Sequence, residues 1–143
     1  MRFNHKNWQS IRRIDDSHIW VGCGVRLKEL CGKVAKLGFS GFEFLEGIPG
    51  TLGGALRMNA GAMGRWTFDV VERVLMVNST SKVEEIERDG FTIEYRKVRE
   101  IADGIALGAV LKLGEVQASD SIRERMDSYS DVRKGSQPVA PSA

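Results

Sequence analysis

The chain has 143 residues, 42% hydrophobic and 28% charged, with a formal net charge of +2, a composition that fits one soluble globular domain. Its 21 basic residues are interspersed with 19 acidic ones, which argues against a nucleic-acid partner, since such proteins gather basic charge on one face. No apolar run reaches the length of a membrane span and MRFNHKNWQS lacks the apolar centre of a signal peptide, so no membrane partner and a cytoplasmic location are expected.

Residues 1–17 are polar and read as a solvated strand and turn. Ile19-Trp20-Val21 is then a short strand entering the turn Gly22-Cys23-Gly24. From Arg26 the period changes: Leu27, Leu30, Cys31, Val34 and Leu37 recur at helical spacing, with Lys28, Glu29, Lys33 and Lys36 opposite and Gly38 as the capping glycine. Cys23 and Cys31 form no CxxC pair and have no histidine nearby. They read as reduced core residues, and no metal site is expected.

The segment from Gly41 to Gly64 holds seven glycines and one proline. Such a backbone takes positive φ and approaches a ligand or another backbone closely. In Gly47-Ile48-Pro49-Gly50-Thr51 the proline fixes φ, the glycines allow a sharp turn, and Thr51 caps a short helix over Leu52–Met58. The free N–H groups at the start of that helix would face outward, and with the next turn, Asn59-Ala60-Gly61-Ala62, would cradle a pyrophosphate or a flat cofactor ring. The alternative is that the glycines only permit tight packing of a loop under a sheet.

Phe68–Val77 reads as an interior strand, Asn78–Ser81 as a turn, and Lys82–Arg88 as an exposed strand returning in an antiparallel hairpin. Along 105–113, Ile105, Leu107, Ala109, Leu111 and Leu113 alternate onto one face of a further strand. Ser119–Arg133 is a second principal helix with Ile122, Met126, Tyr129 and Val132 buried, a capping box of Ser121 and Glu124, and Gly135 closing it. Residues 136–143 form an extended or disordered tail. The fold expected is α+β: a mainly antiparallel sheet flanked by two principal helices, with the glycine-rich loop at the sheet's edge facing the cofactor.

The run GIPGTLGGALRMNAGAMG, preceded by Gly41-Phe42-Glu43-Phe44-Leu45 and followed by Tyr95-Arg96, resembles the signature of the UDP-N-acetylenolpyruvoylglucosamine reductases (UDP-N-acetylmuramate dehydrogenases). The resemblance covers nearly the whole chain but only the middle of the family protein. It implies that residues 1–135 are a partial FAD-binding domain, similar to the second subdomain of a PCMH-type unit. It also implies a flavoenzyme that uses NADPH and FAD to reduce the enolpyruvyl group of a UDP-sugar in peptidoglycan synthesis. By resemblance Gly47, Ile48, Pro49, Gly50, Thr51, Gly53, Gly54, Asn59 and Gly61 meet FAD, while Tyr95 and Arg96 meet the substrate and Arg96 stabilises charge on its carboxylate. A planar guanidinium is suited to that task; the alternative for Arg96 is a solvated arginine between Glu94 and Glu100.

The family pattern departs in two places. It continues as Tyr-Arg-x-Ser, whereas Val98 stands at the last position, which bears on the fine structure of the pocket. Its proton donor lies in a Gly-(Ser/Cys)-x-Phe-Lys-Asn-Pro loop that would follow Gln137–Ala143, and an early Gly-x-Gly-Ser-Asn loop would precede Met1. Ser142 lies before the donor's position, and neither His5 nor His18 matches a family site. Three readings follow: a flavin-binding portion unable to turn over alone, a non-catalytic binding module, or one part of a two-chain enzyme, with self-association through apolar surface that missing segments would cover.

Overall fold

β-branched and aromatic residues concentrate where the chain is extended, and helical spacing returns between those stretches. In a computed structural model, which describes residues 5–136, the order is α1 (His5–Trp8), β1 (Ile11–Arg13), β2 (His18–Gly22), α2 (Leu27–Leu37), α3 (Leu52–Met58), β3 (Gly61–Ala62) and β4 (Arg65–Trp66). There follow β5 (Val71–Val77), β6 (Val83–Glu87), β7 (Ile93–Glu94), β8 (Lys97–Val98), α4 (Arg99–Ala102), β9 (Ile105–Lys112) and α5 (Ser119–Ser136). Five strands make one sheet in the order β1-β2-β9-β5-β6, with every pair antiparallel. This is the α+β architecture read from the sequence, with α2 and α5 as its principal helices. The expected tail falls almost wholly outside the described residues.

Ile19 and Val21 of β2, Val71, Val74 and Met76 of β5, and Ala109 and Leu111 of β9 share one core with α2, α3 and α5. The stripe of α2 is buried as its spacing requires, except that Ala35 takes part and Leu37, at the last turn, stays exposed. Gly38 ends the helix at φ 85°; its N–H bonds the Ala35 carbonyl at 3.0 Å and that of Phe39 bonds Val34 at 3.2 Å, the pairing of a Schellman cap.

Four expectations need correction. β5 begins at Val71, because Thr67–Asp69 forms a 3₁₀ turn. On β9, Leu75 pairs with Gly108 but Met76 with Ala106, so Leu107 is an extra residue; its carbonyl accepts from Cys23 N–H at 3.0 Å. This bulge reverses the faces beyond it, burying Ala106 and leaving Ile105 60% exposed. α5 runs through Gly135 to Ser136, and Ser121 lies inside its first turn, past the place from which it could cap with Glu124. Finally, the glycine-rich segment packs on β2 and β9, two inner strands, not at the sheet's edge.

Glu43 joins that segment to α5. Only 6% exposed, it accepts the Gly41 N–H at 2.5 Å and the Arg125 guanidinium, which also donates to Gln117 Oε1 at 2.6 Å. Arg125 is a third exposed, so water offsets part of its loss. Glu43→Ala should therefore lower unfolding stability by about 1–3 kcal/mol, measured as the urea midpoint, and Glu43→Gln by less, since it keeps an acceptor for Gly41.

Candidate functional site

Two grooves lie at opposite ends of α3. The first is lined by Glu46, Gly47, Ile48, Pro49 and Gly50 together with Arg26 and Lys28, and encloses about 250 Å³. Gly50 sits at φ 108°, with open space where a Cβ would be, a conformation that favours glycine. Arg26 is brought there by a bridge to Thr51. Sequence reasoning passed over both basic residues, because Lys28 reads as a solvated helix position and nothing local to Arg26 points to the loop.

Thr51 caps α3 as its chemistry predicts, its Oγ1 accepting from Gly54 N–H at 3.5 Å. The neighbouring donors do not face outward as expected. Leu52 N–H donates to Val25 at 2.9 Å and Gly53 N–H to Cys23 at 3.0 Å, so the first turn is docked on the β2–α2 connection and its donors are spent within the chain. A Cβ on Gly53 would stand 3.2 Å from Cys23 Cβ, whereas one on Gly54 would meet nothing nearer than Thr51 Oγ1 at 4.0 Å. Tight packing accounts for Gly53, and Gly54 faces open space.

The second groove lies between two small hairpins. In β3–β4 the turn residues Met63 and Gly64 have φ of 54° and 74°, the signs a type I′ turn requires. In β7–β8 the turn is Tyr95-Arg96, with Arg96 at φ 54°, an uncommon place for a residue with a Cβ. The cleft between them has a volume of about 720 Å³ and takes in Met58, Asn59, Gly61, Trp66, Tyr95 and Arg96. Four of the residues named from sequence thus share one cleft, while the Gly47–Gly50 loop lies at the other end of α3. Asn59 is partly committed to structure, since its Oδ1 accepts from Phe68 N–H at 2.9 Å.

Arg96 is exposed, its guanidinium carbon 5.3 Å from the Tyr95 ring centre, and Tyr95 is 86% exposed. The two carboxylates that flank Arg96 in sequence are engaged elsewhere. Glu94 pairs with Arg99, and Glu100 accepts from Thr92 N–H at 2.7 Å and from Thr92 Oγ1 at 3.0 Å. Val98 is fully buried in the core and is not among the residues that line the cleft. Burial pushes the Cys23 thiol up to about 12 and that of Cys31 higher still, leaving neither as a thiolate. His18, held 3.0 Å from Asp15 and 3.8 Å from Glu72, lines neither groove. Among the described residues no cluster could hold a metal, and no helix is long and apolar enough to cross a membrane.

Residues 3–87 match the FAD binding domain family. The chain belongs to that family. FAD is its cofactor, and the site suits it in two respects: a cleft of ligand-binding size, and a net positive charge beside the glycine loop, where Arg26 and Lys28 outnumber Glu46. The chain is 35% identical over 127 residues to a UDP-N-acetylenolpyruvoylglucosamine reductase of Trichlorobacter lovleyi, covering 89% of this chain and 41% of that protein. It is 36% identical over 139 residues to the enzyme of the same name from Syntrophomonas wolfei, covering 96% and 46%. The crystal structure of UDP-N-acetylenolpyruvylglucosamine reductase (MurB) from Thermus caldophilus superposes with a TM-score of 0.75 at 34% identity, over 83% of this chain and 44% of that one. This FAD-binding chain therefore spans less than half the length of these relatives.

Two outcomes follow from this geometry. Gly54→Ala, in a helix with room for a methyl group, should raise stability by about 0.5–1 kcal/mol in thermal unfolding while weakening FAD in titration; unchanged affinity would place Gly54 away from the cofactor. For Glu100, partial burial raises the carboxyl pKa, but the Thr92 hydrogen bonds outweigh it and hold the group below its ordinary value of 4.5. A depressed pKa stabilises the folded state above 4.5, and that contribution is lost as pH falls through the lowered value. Thr92 amide exchange should therefore quicken as pH is lowered through this window, once corrected for intrinsic rates, and Glu100→Gln should remove the dependence.

Proposed function

We propose that this chain is the flavin-binding portion of an FAD-dependent reductase acting on UDP-N-acetylenolpyruvoylglucosamine, with NADPH as hydride source, in cytoplasmic peptidoglycan synthesis. The observation that carries the proposal is the cleft in which Asn59 and Gly61 meet Tyr95 and Arg96, and the names of the relatives support it. FAD, when bound, supplies hydride transfer to the enolpyruvyl double bond.

Arg96 receives the substrate carboxylate. Its guanidinium is exposed, its neighbouring carboxylates are occupied by Arg99 and Thr92, and a planar fork gives two charge-assisted hydrogen bonds to a carboxylate. Charge developing on that carboxylate is stabilised without displacing an existing ion pair. Tyr95 walls the substrate side. Gly47, Ile48, Pro49, Gly50 and Thr51, with Arg26 and Lys28, hold the diphosphate, Gly54, Asn59 and Gly61 let the cofactor approach α3 and the floor of the cleft, and Gly53 seats the helix on Cys23. The described cleft residues include no serine, cysteine or histidine, and of the proton-bearing Glu94 and Tyr95 neither is assigned the donor's role. That same observation favours a second reading, a binding module that holds FAD without turnover.

Titrating the chain with FAD, followed by absorbance and flavin fluorescence, tests the reading. Saturable binding is expected, and none at high micromolar protein would overturn it. Arg96→Ala should leave the melting temperature and FAD affinity nearly unchanged, because the side chain is exposed, while weakening a UDP-sugar carboxylate ligand at least about tenfold, in keeping with loss of a charge-assisted hydrogen bond. A large fall in melting temperature would make Arg96 structural. Turnover restored by added NADPH would dismiss the module without catalysis.

A further inference from the structure

Trp66 has no part in the readings above, yet its placement is unusual. It pairs across the β3–β4 hairpin with Gly61, and a Cβ on that glycine would come within 2.4 Å of Cε3 and 2.8 Å of Cζ3 of the indole. The ring therefore lies directly against the glycine backbone. The Trp66 N–H donates to Asp69 Oδ2 at 2.8 Å, and the same carboxylate stands 3.7 Å from Arg65 Nε. One side of the indole is thus packed and its backbone tied, while 52% of the residue stays exposed in the cleft it shares with Tyr95 and Arg96.

Trp66 adjoins exposed Met58, Ile93 and Tyr95 in one cleft, and a contiguous apolar surface of this kind marks a site where something binds. The cleft offers apolar surface in Met58, Ile93 and Trp66, with the Arg96 cation and the Glu94 carboxylate, itself paired to Arg99, beside it, a combination suited to a planar polar ring. We propose that Trp66 is a stacking platform for the heteroaromatic ring of a nucleotide-type ligand. The inference rests on the proposed reading in placing the ligand site in this cleft, and goes beyond it in assigning Trp66. Two rings share the required chemistry, an isoalloxazine and a uracil base.

The test compares the wild-type chain with Trp66→Leu, which keeps apolar bulk and removes the π face, and Trp66→Phe, which keeps a smaller one. Each is titrated with FMN and FAD in one arm, and with UDP and uridine in the other, by calorimetry and tryptophan emission. Circular dichroism confirms the fold of each variant. Loss of a stacked base corresponds on the order of five- to hundredfold in affinity, so Trp66→Leu should weaken one arm by that factor and Trp66→Phe by clearly less. Saturating wild-type protein with the same ligand should quench the emission component that Trp66→Leu lacks. Response in the flavin arm assigns the isoalloxazine, and response in the UDP arm the base. Equal affinity in wild-type and Trp66→Leu, or unquenched Trp66 emission at saturation, overturns the inference and leaves the proposed function standing. Failure of the wild type to bind any of the four probes overturns the proposed function, and this inference with it.

Discussion

The site depends on two backbone hydrogen bonds, from Leu52 N–H to Val25 and from Gly53 N–H to Cys23. They fasten the first turn of α3 to the end of β2, an inner strand, and so fix where the helix begins relative to the sheet. The Gly47–Gly50 loop enters that point and Asn59 leaves α3 at φ 47° toward β3. Both grooves therefore inherit their positions from one docking contact. A glycine at position 53 lets it form without a shift, since a Cβ there would stand a tight 3.2 Å from Cys23 Cβ.

Local chemistry made much of this legible before the structure was known. The bounds of α3 follow from Thr51 and Leu52–Met58, and the end of α2 from Gly38, because caps involve residues a few places apart. The β5–β6 hairpin was likewise visible in its Asn78–Ser81 turn. What escaped was decided by partners distant in sequence. The face reversal at Ile105 comes from a bulge opposite Leu75 and Met76, which alternation within one strand cannot reveal. Donors at the start of α3 looked free because the carbonyls that consume them belong to the β2–α2 connection. Of the site, Gly61, Asn59, Tyr95 and Arg96 were found in one cleft, whereas Arg26, Lys28 and Trp66 became visible only when folding placed them beside it.

The hairpin bearing Arg96 shows how a charged group is kept available on a surface crowded with acids. Glu94 and Glu100 are close in sequence and would screen it, but Arg99 takes the first and the Thr92 amide and hydroxyl take the second. Beneath it Val98 is sunk in the core, so the turn is anchored at its base while its tip adopts a conformation that costs backbone energy. Among the described residues Arg96 has no ion-pair partner, the arrangement that the proposed carboxylate contact requires.

Because α3 has seven residues at about 1.5 Å of rise each, it separates the two grooves by about 10 Å. The helix thereby acts as a ruler. A ligand with one group for the Gly47–Gly50 loop and another for the cleft at Gly61 engages both only if its own span matches that rod, and shorter molecules must choose an end. Under the proposed function, selection by length would thus rest on the helix itself, before any side chain makes contact.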